Sequence, residues 1–199
     1  MNVAEQVVTF VPIALWLAAL LGASIAVLFA QRPITLRLIA DKLLRYLFIF
    51  PLGVQGLWAF LGHVFLPEAS AAAIGWAPSP FQYEVGVANL GIAVASFYAA
   101  FMGYQARAAV SAAAACFLGG AGVGHLIDIA LGDNLAPGNA GPILVTDFLT
   151  PIAVLALLVA FPPVTNQRTQ AMEQPLAQRI AAAGGRPLRR KGAAGRSSA

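Results

Sequence analysis

The sequence predicts an all-α fold: a polytopic membrane bundle of five transmembrane helices, amino terminus outside and carboxyl terminus inside. Three observations carry that expectation. Of 199 residues, 59% are hydrophobic and only 10% are charged, against roughly a quarter charged in an ordinary soluble domain. Five apolar stretches reach the ~20 residues that a helix needs to cross a hydrocarbon core, at about 7–30, 44–66, 81–103, 108–129 and 142–161. All twelve Lys and Arg residues fall in segments that five spans place on one side.

The first stretch has Glu5 and no Lys or Arg on its flank, and its apolar run exceeds the ~7–15 residues of a signal peptide. It reads as a retained helix. Residues 34–46 alternate Leu38, Leu43 and Leu44 with Arg37, Asp41 and Arg45. The polar three are spaced by four, which predicts a short amphipathic helix lying at headgroup level. Pro51 and Pro151 fall inside the second and fifth spans, where each removes a backbone donor and kinks the helix. The fourth span is rich in small residues, with Gly119, Gly120, Gly122 and Gly124 after four alanines. Gly120 and Gly124 lie one turn apart and predict a face where another helix packs closely. Pro162 and Pro163 end the fifth span, so residues 1–163 make the bundle. Residues 164–199, rich in Gly, Ala, Arg and Pro, predict a disordered basic tail with one short helix near 172–183.

Arg32 to Arg45, Arg107 and the tail from Arg168 onward share one side, and basic loops stay cytoplasmic. Glu5, Glu68, Glu84, Asp128, Asp133 and Asp147 map to the opposite, outer half; Asp41 and Glu173 are the inner exceptions. The tail would be drawn to anionic lipid headgroups at about 1 kcal/mol per charge near the surface. No basic folded surface remains for a nucleic acid. The single cysteine, Cys116, excludes a disulfide framework and a cysteine-based zinc site.

The outer layer gathers the polar residues. His63 lies near the end of the second span, Glu84 and Asn89 open the third, His125 and Asp128 close the fourth, and Asp147 begins the fifth. At 1.5 Å per residue they fall within a slab about 10 Å thick. His125 and Asp128 are three apart and share a helix face, whereas Asn89 is about 140° around the helix from Glu84. A carboxylate facing hydrocarbon is costly, and no Lys or Arg neutralises these. Three resolutions follow: a retained proton, pairing with His63 or His125 as imidazolium, or a divalent metal. His63, Glu84, His125, Asp128 and Asp147 form a donor set suited to zinc, iron or manganese. The blander alternatives are that Glu84 and Asp147 sit at helix amino termini, where negative charge is favourable, and that His63 meets interfacial water. Two loops frame the layer, one with Trp76 and residues 78–81 and one from Asp133 to Gly141. They either form a lid or simply connect helices.

Trp76, Ser79-Pro80-Phe81-Gln82, Glu84-Val85-Gly86 and Ala88-Asn89-Leu90, with Gly124-His125, Asp128, Pro137-Gly138-Asn139 and Asp147, carry a resemblance. The chain resembles a family of uncharacterised small multi-pass membrane proteins of bacteria and archaea, over residues 53–151. The resemblance implies a helical membrane bundle in the cytoplasmic membrane and brings no activity. Three functions fit the residues: a metal- or proton-handling pocket, with an enzyme acting on a lipid-soluble substrate as one form of it; a subunit of a homo-oligomer or larger membrane complex; or an ion- or proton-coupled transporter component. No nucleotide-binding glycine loop or serine-nucleophile elbow is present.

Overall fold

A computed structural model describes residues 3–31 and 33–163. The tail 164–199, its short helix and its lipid contacts lie outside the described residues. Those residues hold helices and no strand: α1 (Val3–Leu28), α2 (Leu36–Leu47), a π-helical segment (Phe48–Val54), α3 (Gln55–Phe65), α4 (Pro67–Ile74), α5 (Phe81–Phe101), α6 (Tyr104–Gly132), α7 (Pro137–Ala140) and α8 (Pro142–Ala160). Five stretches are long and apolar enough to cross a membrane: Thr9–Leu28, Leu36–Phe65, Phe81–Phe101, Tyr104–Gly132 and Pro137–Ala160. Between 17% and 39% of each is buried within the protein, so most of their apolar surface faces outward. Leu17, Leu21, Phe101 and Val159 all stand exposed, which suits lipid as solvent.

The bundle is built on helix pairs, with α3 against α5, α6 against α8 and α1 against α2. Its core, formed by Leu44, Leu47, Phe48, Leu52, Val154 and Leu158 with small Ala99, Ala100 and Ala114, sits in the half where Arg37, Asp41 and Arg107 lie. We call this the arginine end, and the other the histidine end.

The amphipathic segment is not a separate surface helix, which corrects the expectation. Backbone angles stay helical across both joints, with φ −67°, ψ −36° at Phe48 and φ −64°, ψ −42° at Gln55. One helix therefore runs from Leu36 to Phe65. Pro51 lacks the N–H of a regular turn, and the wider π turn takes up that defect without breaking the helix. The apolar stripe of Ala40, Leu44 and Leu47 is buried, with α1 packed alongside. At 30 residues the helix is about 45 Å long, more than a ~30 Å hydrocarbon core. Its first turns can therefore reach headgroup depth while remaining part of a span.

The polar stripe of α2 fastens helix ends. Arg37 Nη1 donates to the Pro162 carbonyl at 2.6 Å, just past the end of α8. Arg45 lies over the Phe101 ring at 5.7 Å. Asp41 accepts from Arg107 Nη1 at 2.7 Å. Arg107 is only 6% exposed, and its other nitrogens donate to Ala99 O at 3.2 Å and Ala100 O at 3.0 Å. Those carbonyls belong to the last turn of α5, where orphan acceptors and the negative pole of the helix favour a cation. One guanidinium thus joins α2, α5 and α6. Arg107→Ala is expected to cost about 3 kcal/mol of stability, read by thermal unfolding in detergent. Arg107→Lys should recover only part of it, because an ammonium lacks the planar fork.

The glycines of α6 correct a second expectation. A Cβ at Gly120 or Gly124 would meet nothing within 4 Å, whereas at Gly122 it would come within 2.8 Å of the Phe148 ring. Two residues turn the helix by about 200°, so the face that packs on α8 is the one opposite to Gly120 and Gly124. Gly120→Ala and Gly124→Ala should hold or raise the melting temperature, since alanine is the better helix former by about 1 kcal/mol. Gly122→Val should lower it, by overpacking worth about 1–3 kcal/mol.

Candidate functional site

At the histidine end the bundle is hollow. A cavity of about 670 Å³ lies between the α3/α5 and α6/α8 pairs, within the ~300–1,000 Å³ typical of small-molecule sites. It runs from Pro51, Leu52 and Leu118 at mid-depth to Leu66 and Trp76 at the mouth, and its walls are mostly apolar. His63, Asn89, His125 and Asp147 all line it. Gln55 lines it too, 6% exposed and with no hydrogen-bond partner for Oε1.

The best-defined chemistry belongs to His125, 7% exposed. Asn139 on α7 is wholly buried and donates through Nδ2 to Asn134 O at 2.8 Å. Its Oδ1 therefore faces His125 Nδ1 at 2.6 Å, and that contact is a hydrogen bond only if Nδ1 carries the proton. The tautomer of a neutral His125 is thereby set, leaving Nε2 as the exchangeable position. Nε2 stands 3.7 Å from Asp147 Oδ2, with Asp147 3% exposed. That spacing exceeds a direct hydrogen bond.

Asp128 plays a different part from its neighbour three residues earlier. Its Oδ2 accepts from Trp76 Nε1 at 2.6 Å and from Asn134 Nδ2 at 3.0 Å, at the rim and outside the cavity wall. The Trp76 ring lies over His125 with centroids 6.1 Å apart and planes 27° apart. The helical pair thus grips one indole, His125 by its face and Asp128 by its N–H. Short helices complete the roof. Asn134 Nδ2 also donates to Ile74 O at 2.9 Å, and Gly138 sits so close to the Ala73 carbonyl that a Cβ there would come within 2.7 Å of it. The two stretches between spans are thus locked to each other over the mouth.

His63 bonds through Nδ1 to Gln82 Oε1, with Gln82 4% exposed in the first turn of α5. Asn89 donates to Val85 O at 2.9 Å and forms part of the wall. Glu84, on the other side of α5, is exposed and outside the cavity; it sits in the first turn of its helix. The candidate metal set of His63, Glu84, His125, Asp128 and Asp147 is therefore not gathered. Among the described residues no three His, Cys, Asp or Glu side chains are placed to hold a metal ion.

Sequence reasoning missed Asn139, Gln82 and Asn134 as site residues. Pro137-Gly138-Asn139 reads as a turn, and a turn asparagine looks the same whether its side chain bonds its own backbone or a histidine. Gln82, uncharged at the start of a span, carries no signal of its own.

A helical bundle of apolar spans, hollow at one end around a buried His–carboxylate pair, fits a membrane protein of unknown activity. The chain belongs to a family of unknown function, DUF6790, which matches residues 9–166. That stretch extends well beyond residues 53–151, over which the resemblance is drawn. No curated protein and no solved structure matches.

Asn139→Ala should leave the His125 Nδ1–H unpaired in a buried place, at a cost of about 1–3 kcal/mol. Thermal unfolding reads the loss, and ¹⁵N NMR of the imidazole should show the single tautomer replaced by a mixture.

Proposed function

We propose that this is a multi-pass protein of the cytoplasmic membrane, amino terminus outside. Its histidine-end cavity binds a lipid-soluble ligand, and the His125–Asp147 pair gains or loses a proton as that ligand leaves or enters. The orientation follows the positive-inside rule, since Arg37, Lys42, Arg45 and Arg107 lie at one end. The observation that carries the reading is the 3.7 Å approach of Asp147 to His125 Nε2 on the wall of an apolar cavity. A buried carboxylate with no cation beside it is strongly unfavourable, so the pair retains a proton or acquires a positive partner. Asn139 presents Nε2, rather than Nδ1, to whatever enters. The tight core at the arginine end supports a site served from the histidine end, rather than a channel through the bundle. A general acid–base group or a proton relay would use the same parts.

At a single pH, Asp147→Asn is expected to move the ¹⁵Nε2 resonance of His125, which lies 3.7 Å from the carboxylate that the variant loses. An unchanged Nε2 resonance in a folded Asp147→Asn variant would overturn the reading.

A further inference from the structure

The lining of the cavity says more about its ligand than that it is lipid-soluble. Among the described residues, Asp147 is the one carboxylate on the wall, and no Lys or Arg joins it there. A phosphate, sulfate or carboxylate headgroup would bring a second negative charge into a low-dielectric space where any imidazolium already faces Asp147. A neutral ligand would leave the proton of the pair where it is. Only a cation can take the place of that proton.

The rest of the wall suits the same class. Trp58, Trp76 and Phe117 line the space together with His125, and a cation is attracted to an indole face, most strongly where water is excluded. Pro51, Leu52, Ile92 and Leu118 continue the wall toward mid-depth and would cover a bulky apolar substituent. Cys116 also lines the cavity and is exposed, so its thiol can report on what fills the space.

We infer that the cavity is a site for a hydrophobic cation, a bulky amine or onium compound, held by Asp147 and by the indole faces of Trp58 and Trp76. This rests on the reading of the cavity as a ligand site and names the class of ligand. The charge balance is an exchange. When the cation pairs with the Asp147 carboxylate, the proton shared with His125 leaves to water at the mouth, and it returns when the cation departs. The described titratable groups facing Asp147 or lining the same space are His125, His63 and Cys116, with Asp128 at the rim.

Cys116 provides a native reporter, being the only cysteine in the chain. The full-length protein in nanodiscs is labelled with N-ethylmaleimide in the presence of tetraphenylphosphonium or of tetraphenylborate, its near-isosteric anion. The cation should slow labelling and the anion should not. Asp147→Asn should raise the tetraphenylphosphonium Kd at least about tenfold, while its labelling rate without ligand stays close to that of wild type. Equal protection by the borate, or no protection by the phosphonium, overturns the inference on the wild-type protein alone. Undiminished protection in a folded Asp147→Asn variant does the same. The two readings fail separately. Selective cation protection with no His125–Asp147 coupling by NMR removes the proton exchange and keeps the cation site. Coupling without selective protection removes the cation site and keeps the proton pair.

Discussion

Arg107 is the point on which the architecture turns. In a bundle whose helices meet mainly through alanine, leucine and glycine, apolar contacts differ little in energy from contacts with lipid. The guanidinium supplies what those contacts lack, because it bonds two carbonyls at the end of α5 and the carboxylate of Asp41 on α2 from a buried position on α6. Both carbonyls lie in the last turn of α5; Ala99 O also accepts from the Met102 N–H at 3.1 Å, so the guanidinium adds to that cap and serves Ala100 O beside it. With Arg37 closing α8 in the same way, the arginine end is fastened by charge-assisted bonds. The α3/α5 and α6/α8 pairs can then stand apart at the other end and leave a cavity between them.

The two halves use polar groups in opposite ways. At the arginine end, Arg37, Asp41 and Arg107 meet a partner within the protein, so their roles are structural. At the histidine end the polar groups are layered. The outermost, Asp128 with Trp76 and Asn134, secures the roof. Beneath it Asn139 spends its whole amide on holding His125 and the chain at Asn134. What remains unbonded is the face between His125 Nε2 and Asp147. The neighbours determine which atom stays available.

Apolar length made the five spans legible from sequence, because lipid imposes one requirement that a helix of about 20 residues satisfies. The face a helix turns to its neighbours was not legible to the same degree. Leu38, Leu43 and Leu44 against Arg37, Asp41 and Arg45 form one pattern whether the apolar side meets headgroups or α1. Gly120 and Gly124 read as a packing face because they are four apart, yet the close approach belongs to Gly122, which has no glycine partner at that spacing. α4 falls between the expected spans, and its eight Ala-rich residues complete too few turns to show a period. In the site, angular spacing on α5 separates Asn89 from Glu84, and the structure puts one in the wall and the other outside. A spacing of three on α6 joins His125 to Asp128, yet their partners divide them. Helical geometry says which residues share a face; it does not say which of them another element will cover.

Asp147 gives the division its meaning. A leucine there would fill similar space without the desolvation cost of a carboxylate, and replacing buried ionic groups by apolar ones is often neutral or stabilising. Fold stability therefore does not account for an acid at this position. Structural roles do account for Asp41 and Asp128, since each accepts from a named donor. Asp147 faces only a histidine beyond hydrogen-bond reach and the cavity. Of the carboxylates described, it is the buried one without a task in holding the bundle together, and it stands where a ligand would meet it.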